Sequence, residues 1–428
     1  MRICIVAEHA SERFGGEAFL PLHYFSLLRS RGVETWLVVH SRTQSELVAL
    51  FPNEVSRILF VPDLWIHKLL FQLSCHLPRR LSEATLGLLN QLITQFYERS
   101  IVRKLIRTHG IDVVHQPIPV APRFPSLFFG LGIPCVVGPL NGGMEYPPFF
   151  RNSESRWSQT ALAFTRLLSD LVNTLLPGKK NADVVLVANE RTRGALPSGV
   201  RGRVIELVEN GIDMNVWSDL PGDTESPVPR FVFLGRLVDW KAVDILIRSL
   251  ERVPTAELEV IGDGPMLGIW KSLARDLGVN NRIHFSGWLP QRECAAHLQS
   301  AKALVLPSLY ECGGSVVLEA MAMGKPVIAT RWGGPADYLD ATCGILVEPT
   351  TYSDLVNGFA EAMRMLIHSP DVAKSMGAAG RGRALRDFDW QRKIDLVIQI
   401  YRALAENSDV YRGIEKDRVS TTAVSGHH

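Results

Sequence analysis

The 428-residue chain has no long unbroken apolar run, no close pair of cysteines and almost no net charge. Each absence removes a class of protein. Its most lipid-like window, "ILFVPDLWIHKLLFQLSCHL", is interrupted by Pro62, Asp63, His67 and Lys68, whereas a membrane-spanning helix needs about 20 mainly apolar residues. A net charge of +2 supplies none of the basic field that nucleic-acid binding calls for, so no nucleic-acid partner is expected. The six cysteines, Cys4, Cys75, Cys135, Cys294, Cys312 and Cys343, are scattered. They fit reduced thiols in a cytoplasm better than a disulfide scaffold or a metal cluster. The opening "MRICIVAEHA" reaches Glu8 and His9 too early for a signal peptide and reads as a buried strand. The turn that follows, "AEHASERFGGEAF", lacks the G-x-G-x-x-G of a dinucleotide-dependent oxidoreductase. No acidic pair stands at a strand end as a metal site, and "DFD" at 387–389 reads as a polar turn before the last helix. Neither a metal nor a cofactor is expected.

What is present supports a packed core: 46% hydrophobic residues and 21% charged are globular values. The chain exceeds the roughly 250 to 300 residues that one core serves, so two domains are expected. Short β-rich apolar runs alternate with amphipathic stretches of helical length, the pattern of parallel βαβ construction. Seven runs ("RICIVA", "ETWLVV", "RILFV", "DVVH", "PCVVG", "DVVLVA", "RVIELV") precede a Pro-, Asp- and Gly-rich stretch at 212–229, and six follow it ("RFVFLG", "ELEVIG", "RIHFSG", "ALVLPS", "PVIAT", "GILVEP"). Each set is enough for a doubly wound α/β sheet. The expected domains are 1–212 and 213–389, with a last amphipathic helix at about 390–406 and a polar tail beyond.

The second set carries the chemistry. "ALVLPSLYECGGSVVLEAMAMGKPVIAT" reads strand, loop, helix, strand, with Glu311 on the loop and Glu319 inside the helix. Gly313 and Gly314 expose backbone N–H groups at the helix start to a hydroxyl-rich or anionic ligand. A loop carboxylate accepts hydrogen bonds from hydroxyls, and one farther along the helix can reach a second ring such as a ribose. The plainer alternative makes Glu311 a helix cap and Glu319 a structural residue. Upstream, Arg236 and Lys241 follow a strand and flank a helix start, where forked and point cations can clamp a diphosphate; solubilising surface charge is the alternative. "VIGDGP", with Gly262 and Gly264, and "FSGWLP", with Trp288 and Leu289, add two more strand-end turns where a base and ribose can lie.

These residues resemble family 4 retaining glycosyltransferases of the GT-B fold. The resemblance rests on Gly15-Gly16, "NGID" at 210–213, "GRLVDWK" at 235–241, "GDGP" at 262–265, the E-x7-E acids Glu311 and Glu319 with "AMAMGKPVIAT", "GG" at 333–334 and "GILVEP" at 344–349. It implies two Rossmann-like domains facing across a donor cleft, and a final helix that packs back on the first. It also implies that Arg236 and Lys241 hold a donor pyrophosphate and that Glu311, Gly313 and Gly314 meet the donor sugar. Glu319 would meet the ribose, and Gly15 and Gly16 would approach the donor from the first domain. Two departures stand out. Cys312, Gly313 and Gly314 follow Glu311 where the family usually has an aromatic between glycines, and "KA" at 241–242 replaces "KG". The second costs little if that backbone is helical.

The chemistry implied is departure of a nucleoside diphosphate whose growing charge Arg236, Lys241 and helix-end N–H groups stabilise, without a metal. Retention by a front-face route suits such a site better than double displacement between carboxylates. Acceptor-side candidates are His115, for which a satisfied strand-end histidine is the alternative, and Asn141 in "GPLNGGMEYPP". That stretch resembles bacterial polysaccharide and lipopolysaccharide transferases, which implies a carbohydrate or lipid-linked acceptor. Arg99, Arg103 and Arg107, with Lys104, form a basic helix face that suits an anionic membrane surface or is merely solvated. A cytoplasmic protein, peripheral at the inner face of the membrane if that face is used, is expected. The competing functions are a non-catalytic nucleotide-sugar-binding protein and a sugar-nucleotide epimerase on the same fold; a phosphorylase would need a lysine-bound cofactor for which the sequence makes no case.

Overall fold

A computed structural model describes residues 1–13, 16–75, 83–151, 169–218 and 228–406. Every one of the expected apolar runs is a strand, and they form two parallel sheets of seven and six strands. The first contains β1 (Arg2–Ala7), β2 (Glu34–His40), β3 (Ile58–Val61), β4 (Val113–Gln116), β5 (Cys135–Leu140), β6 (Val184–Val187) and β7 (Arg203–Glu206), ordered β3-β2-β1-β4-β5-β6-β7. The second contains β8 (Arg230–Leu234), β9 (Glu257–Ile261), β10 (Ile283–Gly287), β11 (Ala303–Leu306), β12 (Val327–Thr330) and β13 (Gly344–Val347), ordered β10-β9-β8-β11-β12-β13. Central strands such as β6 and β11 are buried at every residue. That explains why they read as continuous rather than alternating apolar runs: crossover segments cover both faces of a parallel sheet.

In each sheet the chain winds outward, then returns to the other side of its first strand. The order reverses between β1 and β4 in one sheet and between β8 and β11 in the other. A crevice opens beyond the carboxyl ends of the strands at such a reversal, and open α/β sheets bind ligands there. Arg236 follows β8 and the Glu311 loop follows β11, so topology alone sends both to one place.

Two contact units result. The described residues within Met1–Gly143, Thr160–Glu209 and Lys393–His428 form the first, and those within Met144–Gln159 and Asn210–Arg392 the second. In the first unit, Lys393 Nζ donates to Glu209 O at 3.0 Å, the Tyr401 hydroxyl bonds His115 Nδ1, and Arg31 pairs with Asp395 at 3.0 Å. These contacts seat the last helix, Trp390–Ala405, from Lys393 onward. In the second unit Ile212 N donates to Phe388 O and Trp390 N to Ile212 O. Met144 to Arg151 join the second unit although they continue directly from β5 of the first, a crossing that no composition shift announces.

The basic helix differs from expectation. In Leu88–His109 the Arg99 guanidinium lies 4.5 Å from the Phe129 ring centroid and donates to Phe129 O at 2.6 Å. Arg99 is therefore a packing residue, and only Arg103, Lys104 and Arg107 remain exposed as a basic face. The alkyl stem and planar head of an arginine suit it to that internal use.

Candidate active site

Three strand-end loops of the second sheet are laced together. Gly235 N donates to Ile261 O, Gly262 N to Gly287 O at 2.7 Å, and Leu237 N to Asp263 O. A Cβ on Gly262 would stand 1.9 Å from Gly235 O, and one on Gly264 2.4 Å from Leu237 O. Both glycines are thus required by the approach of neighbouring backbone, not only by a ligand. The lacing shapes a pocket of about 360 Å³ lined by Arg236, Gly262, Trp288, Leu289, Cys294 and Glu319, among others. Arg236 is exposed, and its side chain makes no ion pair or hydrogen bond with a described residue. Trp288 stands at the rim, 75% exposed, a large apolar ring held in solvent.

The Glu311 loop is held by contacts of its own. Lys241 Nζ pairs with a Glu311 carboxylate oxygen, both side chains being largely buried. Leu309 N donates to Trp240 O and Gly334 N to Glu311 O, which ties the loop both to the Lys241 turn and to the "GG" at 333–334. Gly314 has φ of 80° and caps the helix Ser315–Ala322; a Cβ there would stand 3.0 Å from Glu311 Cγ. Glycine at this place meets a left-handed backbone and a close side chain at once. One turn into the helix, Glu319 faces the pocket, and burial pushes its carboxyl up to about 7 against the opposing hydrogen bond from Ser315. A carboxyl so placed is divided between its neutral and ionised forms near neutrality.

Arg236, Gly262, Trp288, Leu289 and Glu319 therefore line one pocket. Lys241, Glu311, Gly313 and Gly314 are joined to one another through the loop contacts, and Gly334 packs on Gly313 O. The first-unit candidates are placed differently. Gly15 lies outside the described residues, while Gly16 has φ of 54° and open space at its Cα. His115 is fully buried, with Nε2 bonded to Gly138 O and Nδ1 to the Tyr401 hydroxyl. Burial lowers its pKa to about 4, so it is a neutral, satisfied core histidine and its ring nitrogens are both occupied. Asn141 is also buried; its Nδ2 donates to Glu209 and its Oδ1 accepts from Thr192.

The backbone at "KA" is not helical. Ala242 has φ of 48° and ψ of 40°, the only positive φ at a non-glycine residue among those described, so alanine there occupies a conformation that glycine adopts freely. Among the described residues, the group His40, Asp63 and His67 brings its ligand atoms within 4.8 Å of one another. The Arg42 N–H donates to His40 Nδ1 at 3.2 Å, which places the imidazole proton on Nε2, 3.2 Å from His67 Nδ1. His40 is a link in a hydrogen-bond chain with no lone pair left over. Sequence reading missed Met144, Glu145 and Tyr146 as neighbours of the Glu311 loop. The Trp332 indole N–H donates to Glu145 O at 2.7 Å and the Tyr146 and Tyr310 rings lie 5.3 Å apart. The "GPLNGGMEYPP" stretch is the available signal, and its residues 144–146 stand beside the Glu311 loop as well.

Residues 223–383 match the family described as "Glycosyl transferases group 1". The chain is 30% identical over 319 residues, 69% of this chain and 77% of the other, to a "GDP-mannose-dependent alpha-(1-6)-phosphatidylinositol monomannoside mannosyltransferase" of Mycolicibacterium smegmatis. It is also 30% identical over 179 residues to a lipopolysaccharide core biosynthesis glycosyltransferase of Rhizobium meliloti, covering 42% of this chain and 51% of that one. An Anabaena protein crystallised in complex with UDP superposes with a TM-score of 0.65 at 16% identity, over 94% of this chain and 100% of that one.

Proposed function

The chain belongs to the group 1 glycosyl transferases and has the GT-B fold, and from that premise we propose that it transfers a hexose-type sugar, with retention, from a nucleoside-diphosphate sugar to a carbohydrate or lipid-linked oligosaccharide in bacterial surface polysaccharide synthesis. One observation carries the reading: a single pocket at the switch point of the second sheet is lined by Arg236, a cation whose side chain has no partner among the described residues, by the carboxyl of Glu319 and by the exposed indole of Trp288. That set matches the charge, the ribose and the base of a nucleotide in turn. The UDP bound by the Anabaena neighbour, the GDP-mannose named for the mycobacterial relative and the lipopolysaccharide role named for the rhizobial one support the substrate class.

The Lys241–Glu311 pair gives the reaction its logic. An incoming diphosphate competes for the Lys241 ammonium, and the Glu311 carboxylate so released accepts hydrogen bonds from the donor sugar. As the glycosidic C–O bond breaks, negative charge grows on the departing phosphate, where Arg236 and Lys241 stabilise it. The departing phosphate oxygen takes the acceptor's proton on the same face, so the configuration is retained. Neither a metal nor a cofactor is needed for this charge balance.

The test is a panel of UDP-, GDP- and ADP-sugars watched by ligand-observed NMR with metal-free protein. Selective binding of one donor, with slow release of its sugar first as the α anomer, is expected. Lys241→Ala and Glu311→Ala should each lower turnover by about 100-fold or more while leaving the folded spectrum intact. Near-normal transfer by both variants would remove these residues from the mechanism.

A further inference from the structure

After Glu311 the loop continues as Cys312, Gly313 and Gly314, residues too small to wall a sugar site. The material beside them comes from far away in sequence. Met144, Glu145 and Tyr146 leave β5 of the first sheet yet belong to the second contact unit. Met144 is buried against Gly333: a Cβ on that glycine would stand 2.6 Å from Met144 Cε and 2.2 Å from Glu311 O. The methionine and the acid loop therefore share one glycine as their floor. Tyr146 packs on Tyr310, the residue before Glu311, with a 41° angle between rings.

The segment is held from both sides without recourse to any ligand. Trp332, next to Gly333, donates its indole N–H to Glu145 O. Arg151 donates Nε to Tyr146 O at 2.7 Å and pairs with the Glu145 carboxylate at 2.8 Å. Backbone carbonyls held by an indole and a guanidinium fix the chain at Tyr146, and the Tyr310 ring, 5.3 Å away, packs against its side chain. A ring so held can select by shape.

Resting on the reading of Glu311 as the carboxylate that meets the donor sugar, we propose that Met144 and Tyr146 wall the donor-sugar end of the site and that Tyr146 is a specificity-determining residue. An aromatic ring packs well against a pyranose face that presents C–H bonds and badly against one where an epimeric hydroxyl projects. The hydroxyl must then be desolvated without a partner. Tyr146 thereby decides which hexose epimer fits beside Glu311.

The experiment uses the full chain as wild type, Tyr146→Ala, Tyr146→Phe and Met144→Ala, titrated with UDP and GDP alone and with their glucose, galactose and mannose conjugates. Affinity for the bare nucleotide should stay within about twofold in every variant, while Tyr146→Ala should narrow the ratio between preferred and rejected epimers by about tenfold or more. Tyr146→Phe, which keeps the ring, should keep the ratio. An unchanged ratio in Tyr146→Ala, a wild type indifferent to the epimer, or a Tyr146→Ala that loses the bare nucleotide as well would each overturn the proposal. A wild type that binds neither nucleotide nor conjugate would overturn the nucleotide-sugar reading and this inference with it.

Discussion

Glu319 illustrates how a residue of ordinary type acquires special chemistry from its surroundings. Glu319 sits on a short helix whose other faces are core, so its carboxyl is desolvated and its pKa rises to about 7. The sign follows from linkage: the folded chain binds this proton more tightly than the unfolded chain does. The stabilising contribution of the neutral acid is full below the unfolded value and is lost as pH rises through about 7. At most about 3 kcal/mol is at stake. Replacement by the neutral isostere, Glu319→Gln, should therefore flatten part of the pH dependence, with the wild-type melting temperature falling relative to the variant between about pH 5 and about pH 8. Parallel melting profiles would show that the carboxyl is better solvated than its position implies.

At the scale of elements, the turn from Asp239 to Ala242 is the most constrained piece of the site. It presents Lys241 to Glu311 and starts the helix Val243–Glu251 from a left-handed residue. Alanine tolerates that φ at a cost of roughly 1 to 2 kcal/mol, a cost that glycine avoids but offsets through its freer unfolded chain. Ala242→Gly should stay within about 1 kcal/mol of wild type, whereas the β-branched Ala242→Val should lose about 2 kcal/mol or more. Denaturant unfolding distinguishes them, and a well-tolerated valine would mean that the turn relaxes out of the left-handed region. The same scale explains what the sequence reading got wrong about cost here: a helix start is visible in the pattern of apolar residues, but the dihedral of its first residue is not. Arg99 is the parallel case, since helical spacing places it with Arg103 and Arg107, and only the neighbouring Phe129 backbone reveals that it turns inward.

For the whole molecule, no described helix is long and apolar enough to cross a membrane. The first unit nevertheless exposes Trp65 and Phe71 on the helix Trp65–Ser74, at 74% and 70%, which also carries the exposed Lys68, and Phe96 on Leu88–His109, which also carries the exposed Arg103, Lys104 and Arg107. Aromatics and cations together suit the headgroup region of an anionic bilayer. Sedimentation with vesicles rich in phosphatidylglycerol should pull down the protein at low salt, and Trp65→Ala with Phe71→Ala should weaken this by about thirtyfold, at about 1 kcal/mol per ring lost from the interface. Equal recovery with neutral vesicles, or no effect of the double variant, would assign these rings to another surface.

Sequence by itself determined the thirteen strands and the parallel α/β class, and it singled out Arg236, Gly262, Trp288, Leu289 and Glu319, five of the residues that line one pocket. The physical reason is local: a strand buried on both faces must be an apolar run, and ligand residues in such sheets follow strand ends, which can be read one element at a time. Tertiary structure decided what depends on distant partners. His115 and Asn141 became packing residues because Tyr401 and Glu209 arrive beside them. Met144 to Tyr146 became neighbours of Glu311 because Trp332 and Tyr310 hold them there. Those contacts join residues more than fifty positions apart, and no periodicity within either segment encodes the other.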